Sequence, residues 1–192
     1  MHRPSWPSDR TLKRINRALL GAIILLNGYV ILAPFLPQID FWIDTKITKP
    51  VTADVSTVDR STNRLIIQKL QLEEPIHEGA NESALEKGLW RRPQTSTPDK
   101  GSNTVVVGHR FLYGDKSPFY HLNKLAVGDT LHAVYGGKIY EYQIVAEKTT
   151  PPTDQSVEAP SNDDILTIYT CTPLWTAENR LVYTAKLERV IE

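Results

Sequence analysis

Sulfur is nearly missing from this chain. Its 192 residues include one cysteine, Cys171, and one methionine. A sole thiol excludes an internal disulfide, and no His/Cys cluster has the spacing of a zinc site. The oxidising or reducing nature of its compartment therefore stays open. A charge excess is missing too: Lys plus Arg and Asp plus Glu both number 22, so nothing points to a nucleic-acid partner. No Gly-x-x-x-x-Gly-Lys phosphate loop and no Gly-x-Ser-x-Gly nucleophile elbow occurs, which removes two common enzyme classes. With no low-complexity tract or internal repeat, the length suits one domain plus appendages.

One long apolar run is present. Residues 18–36 carry no charge, and only Gly21, Asn27, Gly28 and Pro34 interrupt the apolar letters. A hydrocarbon core takes about 20 helical residues, so the run predicts a membrane anchor, with Trp42 placed as an interfacial aromatic. The competing readings are a cleaved signal peptide and a buried core helix. The run exceeds a usual signal h-region and no small-x-small site follows it, which favours the uncleaved anchor. Arg3, Arg10, Lys13, Arg14 and Arg17 precede the run, whereas the first charges after it are Asp40 and Asp44. The positive-inside rule then makes residues 1–17 a cytoplasmic tail and 18–36 a single membrane pass, with everything beyond outside the cell. Residues 37–62, rich in Thr, Asp, Lys and Pro, form a juxtamembrane spacer able to reach up to ~80 Å when fully extended.

From residue 63 to 192 short β-rich runs alternate with turn residues. Strands are expected at 64–72, from Pro75 to His77, at Thr104–Val107, at Leu131–Tyr135, at Lys138–Val145, at Ile165–Cys171 and at Arg180–Glu188. Glu82–Lys87 reads as one or two helical turns ended by Gly88. Gly136-Gly137 supplies the positive φ of a two-residue hairpin turn. Thr149–Asp164 holds three prolines and four acids, too long and polar for a hairpin turn, and loops of that length are often functional. Seven or eight short strands with little helix predict an all-β barrel or sandwich.

The chemistry candidates gather at strand ends. Cys171 closes a β-branched run and precedes Thr172-Pro173, so it stands at a strand-to-loop edge. A cysteine there is either a small buried hydrophobe or an accessible nucleophile, and the hydroxyl neighbours Thr170 and Thr172 favour the second. His109 follows three valines and a glycine and opens the polar loop 110–116, a place for a general base facing a groove. Among the other histidines, His132 sits inside a strand as a structural residue, and His121 is a second candidate base, although it lies among packing anchors. Arg180 opens the last strand. If that strand pairs with the one ending at Cys171, guanidinium and thiol meet at one end of the ladder. Asp154, Glu158, Asp163 and Asp164 offer oxygen ligands for calcium, but a solvated acidic loop is the reading preferred here. No metal and no cofactor is expected. The sequon Asn81-Glu82-Ser83 is taken as chance.

Thr167-Ile168-x-Thr170-Cys171 resembles the TLxTC signature of sortases, the membrane-anchored cysteine transpeptidases of Gram-positive-type bacteria. The resemblance continues through Asn103–Arg110, through Phe119-x-x-Leu122-x-x-Leu125-x-x-Gly128-Asp129, and through Arg180-Leu181-Val182-Tyr183-Thr184-Ala185. It implies an eight-stranded sortase-type β-barrel with short helical turns, preceded by one N-terminal transmembrane helix. It also implies roles: Cys171 as nucleophile, His109 as acid/base, Arg180 as oxyanion or substrate stabiliser, and Thr170 as a helper near the oxyanion. Trp175 is expected to shape substrate choice from its place after Cys171.

The implied reaction cleaves an LPxTG-like sorting motif between Thr and Gly, holds the protein as a thioester and passes it to an amine. The partners implied are secreted proteins bearing that motif and an amine acceptor, either a peptidoglycan precursor or a pilin lysine. Cys-Thr-Pro-x-Trp-x-Ala-x-x-Arg is closest to the class E type, with Ile168 in place of the usual Leu. Neither the second membrane segment nor the lid typical of pilin-polymerising class C enzymes is seen, which favours cell-wall anchoring. The rivals are a pilin polymerase and a membrane-anchored β-barrel binding module without turnover.

Overall fold

The computed structural model describes residues 9–32, 55–111 and 117–192, which belong to two units, Met1–Lys49 and Pro50–Glu192. In the first, α1 runs Asp9–Leu32 with none of its residues buried. At 1.5 Å per residue its 24 residues span about 36 Å, enough to cross a hydrocarbon core. Asn27, the one polar amide in its apolar stretch, donates from Nδ2 to the Ile23 carbonyl at 2.8 Å. That bond satisfies one side-chain amide proton within the helix itself. Residues 33–36 of the expected span, and Trp42, lie outside the described residues.

In the second unit eight strands close into one barrel. They are β1 Arg64–Ile67, β2 Leu72–His77, β3 Leu89–Arg91, β4 Asn103–Val107, β5 Thr130–Tyr135, β6 Lys138–Thr150, β7 Ile165–Thr172 and β8 Asn179–Ile191. Their order around the barrel is β1-β2-β3-β4-β7-β8-β6-β5, which leaves no open edge for aggregation. Inward side chains such as Leu65, Ile67, Leu131, Ile168 and Tyr183 make the main core. A smaller cluster on other faces of the strands joins Ile66, Val134 and Ile139 to Val58, from the turn at Val55–Thr57 and just beyond. Barrel packing thus extends N-terminal of β1, into residues expected as spacer.

Several expectations for individual strands change. The run 64–72 is not one strand. It breaks at a 3-10 turn, Gln68–Leu70, with Gln71 at φ 51°, and returns as β2 with Arg64 opposite Pro75 and Ile67 opposite Leu72. The apolar residues at 65–67, 70 and 72 do not alternate, because β1 buries both faces, Leu65 and Ile67 in the main core and Ile66 in the smaller cluster, before the turn begins. β3 was not expected. It has only three residues, too few to show a period, yet it pairs parallel with β2 and antiparallel with β4. β6 continues past Val145 to Thr150, bent by register shifts at Glu141/Tyr142 and Ile144/Ala146. The hairpin turn is as expected, with Gly136 at φ 56° and Gly137 at φ 81°.

Two pairings position the site. β4 and β7 run parallel with Val107 beside Tyr169, and β7 and β8 run antiparallel with Cys171 opposite Arg180.

Candidate active site at the ends of three strands

Three strands deliver polar residues to one end of the barrel. β7 ends with Thr170, Cys171 and Thr172, β8 begins at Asn179-Arg180, and the chain leaves β4 through Gly108 and His109. Gly108 is required there. A Cβ on it would lie 2.8 Å from Leu89 Cδ2 and 2.9 Å from Phe119 Cδ2, so any side chain there must displace those two buried side chains or the backbone that carries His109. Thr170 is 2% exposed, and its hydroxyl donates to the Gly108 carbonyl at 2.8 Å, tying β7 to the backbone just before His109. The Phe119 amide donates to the His109 carbonyl at 3.1 Å and closes the loop beyond.

His109, Thr170, Cys171 and Arg180 line one cavity of about 220 Å³, with Glu82, Leu85, Trp90, Arg92, Val107, Gly108 and Tyr169 as the rest of its wall. Cys171 is a free thiol, half-buried. The Arg180 guanidinium donates from Nη1 to the carbonyls of Ala177 (3.3 Å) and Asn179 (3.2 Å), which leaves part of its fork for another acceptor. Trp175 does not line this cavity. It is 58% exposed and packs at a tilt against Phe111, centroids 5.1 Å apart. His132 is buried in β5, with Nε2 and Glu141 Oε2 3.1 Å apart.

A larger concavity of about 550 Å³ shares Glu82, Arg92, Tyr169 and Arg180 with the first. Its outer wall is the loop between β6 and β7, which holds a 3-10 turn at Gln155–Glu158. The loop is firmly pinned. Asn103 Nδ2 donates to the carbonyls of Val157 (3.1 Å) and Ala159 (2.9 Å), and Asp154 caps the turn by accepting from the Ser156 amide at 3.0 Å. Glu158 accepts from Arg92 Nε at 2.8 Å and from the Tyr169 hydroxyl at 2.6 Å. Burial, reinforced by Glu158, pushes the Tyr169 phenol far above its ordinary pKa, so it stays a donor. Asp163 pairs with Lys186 and Asp164 accepts from the Ser102 amide, so the four acids considered for calcium face separate partners. No group of three or more His, Cys, Asp or Glu that could hold a metal occurs among the described residues.

Two features of this site escape a reading of the sequence. The Arg92–Glu158–Tyr169 network links residues far apart in the chain. Arg110, which opens a polar loop in the sequence, turns back to Thr172 Oγ1 at 2.7 Å. A lone arginine beside a loop gives no sign of such a partner.

A family model for the sortase domain matches residues 65–188, most of the barrel with its site. The chain belongs to the sortase family. It is 30% identical over 139 residues to Sortase SrtE1 of Streptomyces coelicolor, a match covering 64% of this chain and 39% of that protein. It is 29% identical over 126 residues to Sortase D of Bacillus subtilis, covering 65% of this chain and 58% of that one. The chain therefore spans less than two thirds of the length of the curated relatives it matches. The crystal structure of Sortase C-3 from Streptococcus pneumoniae superimposes with a TM-score of 0.62 at 30% identity, covering 75% of this chain and 71% of that chain. Sortases of types E, D and C thus resemble it almost equally, and identity alone does not sort the type.

Proposed function

We propose that this sortase is a membrane-anchored cysteine transpeptidase acting on proteins with an LPxTG-like sorting motif. The observation that carries this reading is the single cavity shared by His109, Cys171 and Arg180 in a member of the sortase family. The Cys171 thiolate attacks the carbonyl of the Thr–Gly bond and an S–C bond forms. The Arg180 fork faces the developing oxyanion or a neighbouring peptide carbonyl. The C–N bond then breaks, and the His109 imidazolium gives its proton to the departing amine. An acceptor amine attacks the thioester, His109 takes the proton released, and the Cys171 thiolate returns.

The trough formed by the two concavities gives the motif its bed, with the pinned β6–β7 loop as the wall upstream of the scissile bond. Preorganisation of that wall lowers the ordering cost of binding an extended peptide. In this reading residues 18–32 of α1 belong to the anchor expected at 18–36, residues 1–17 are cytoplasmic, and the barrel lies outside the cell. Cell-wall anchoring, with a peptidoglycan-precursor amine as acceptor, is the preferred role. Transfer to a pilin lysine is a second reading, supported by the likeness to a pilus-related Sortase C of Group B Streptococcus, 26% identical with a TM-score of 0.61.

The test incubates the intact chain, purified in detergent, with quenched-fluorescent peptides carrying LPxTG, LAxTG or scrambled motifs. Each is assayed with a short glycyl or lysyl amine. Cleavage of one motif class, with transfer product formed only when amine is added and nothing from Cys171→Ala, is the expected outcome. The better amine distinguishes wall anchoring from pilin transfer. A folded wild type that cleaves no motif peptide contradicts the reading and favours a binding module.

A further inference from the structure

The backbone ladder between β4 and β7 ends at Val107 beside Tyr169, a separation of 62 residues. Two side-chain bonds continue the same offset beyond it. Thr170 Oγ1 donates to the Gly108 carbonyl at 2.8 Å, and Arg110 Nη1 donates to Thr172 Oγ1 at 2.7 Å, both again spanning 62 residues. His109 and Cys171 are the pair between them, one flanked by Gly108 and Arg110, the other by Thr170 and Thr172. Where the ladder has stopped, these bonds are what keeps the two chain ends in register. A strand end without them frays.

We propose that Arg110 is a positioning residue: by fastening its own backbone to Thr172, it holds the His109 imidazole alongside the Cys171 thiol. This rests on the catalytic reading of His109 and Cys171 given above. Arg110 is an expensive choice for a simple tie. Its Nε is buried with no partner among the described residues, and leaving such a donor unmet opposes folding. Burial lowers its pKa from the ordinary arginine value, countered by Tyr183, Tyr120 and Cys171, yet a guanidinium there stays charged. A guanidinium kept here at that cost, and bonded to Thr172, fits a group that fixes the position of its own backbone. One residue further on, Phe111 packs against Trp175 and joins the same two segments again.

The experiment measures kcat and KM of the intact chain in detergent, with the cleaved motif peptide and an amine acceptor. Wild type, Arg110→Gln, Arg110→Lys, Thr172→Val and the Arg110→Gln/Thr172→Val pair are compared, with melting temperature as the folding control. Arg110→Gln is expected to lower kcat on the order of 100-fold, as a misplacement of about 1 Å does, with KM changed by less than about 3-fold. Thr172→Val should lower kcat by about 10-fold, the loss of one charge-assisted bond. The pair should be no slower than Arg110→Gln alone, and Arg110→Lys should recover part of the rate. The tether is overturned by a kcat for Arg110→Gln within about 3-fold of wild type, by losses that multiply in the pair, or by a loss carried by KM alone. Should Arg110→Gln not fold, Thr172→Val decides: a kcat within about 3-fold of wild type, or a loss carried by KM alone, overturns the tether. A wild type no faster than Cys171→Ala overturns the catalytic reading itself, a result distinct from all of these.

Discussion

The body of the barrel and its rim are made from the same strands but held by different forces. In the body, Leu65, Ile67, Leu131, Ile168 and Tyr183 are fully enclosed by other side chains, and non-directional burial does the work. At the rim, individual bonds do it: Thr170 to Gly108, Arg110 to Thr172, Arg92 and Tyr169 to Glu158, Asn103 to the β6–β7 loop. The difference teaches where the site comes from. Apolar alternation along β7 and β8 sets their register, and that register alone puts Cys171 opposite Arg180. The rim bonds then act over short distances on His109 and on the loop that walls the trough. Stability and chemistry should therefore separate under mutation.

The sharpest test of that separation is His109→Ala. Its kcat is expected to fall on the order of 10³-fold or more, as removal of a general acid/base does, while the melting temperature stays within a few degrees of wild type. Steady-state kinetics beside a thermal melt check both halves. A collapse of the melt would break the comparison, because it would make a rim residue part of the body. The smaller, opposite effect belongs to Ile168→Ala, three residues before Cys171 on the same strand. Truncating a fully buried isoleucine should cost about 2–5 kcal/mol in urea unfolding. Without denaturant the folded variant should keep a kcat/KM within about 3-fold of wild type. A large loss of rate in folded Ile168→Ala would show that core packing sets the site geometry directly.

How much of this was legible in the sequence follows the same division. β7 and β8 are long β-branched runs joined by a short loop, so their pairing, and the meeting of Cys171 with Arg180 at one end, could be read from pattern. β5 and β6 announced themselves through Gly136-Gly137. The hairpin within 64–72 did not, because its turn uses Gln71 in the left-handed region and lacks the glycine or asparagine that usually marks it. β3 was invisible at three residues. The rim bonds were hidden for a different reason: Arg110 and Thr172, or Asn103 and Ala159, lie more than fifty residues apart, and nothing local to either partner signals the other. The contact of Trp175 with Phe111, outside the wall of the Cys171 cavity, likewise had no local sign in the sequence.

The central claim is that Cys171 carries the cleaved protein as a thioester. Intact mass of the whole chain, quenched during turnover of the motif peptide without added amine, tests it most directly. The account predicts an adduct equal to the peptide truncated after Thr, released by hydroxylamine and missing from Cys171→Ala. Turnover of the peptide with no such adduct, or an adduct that persists in Cys171→Ala, would contradict it.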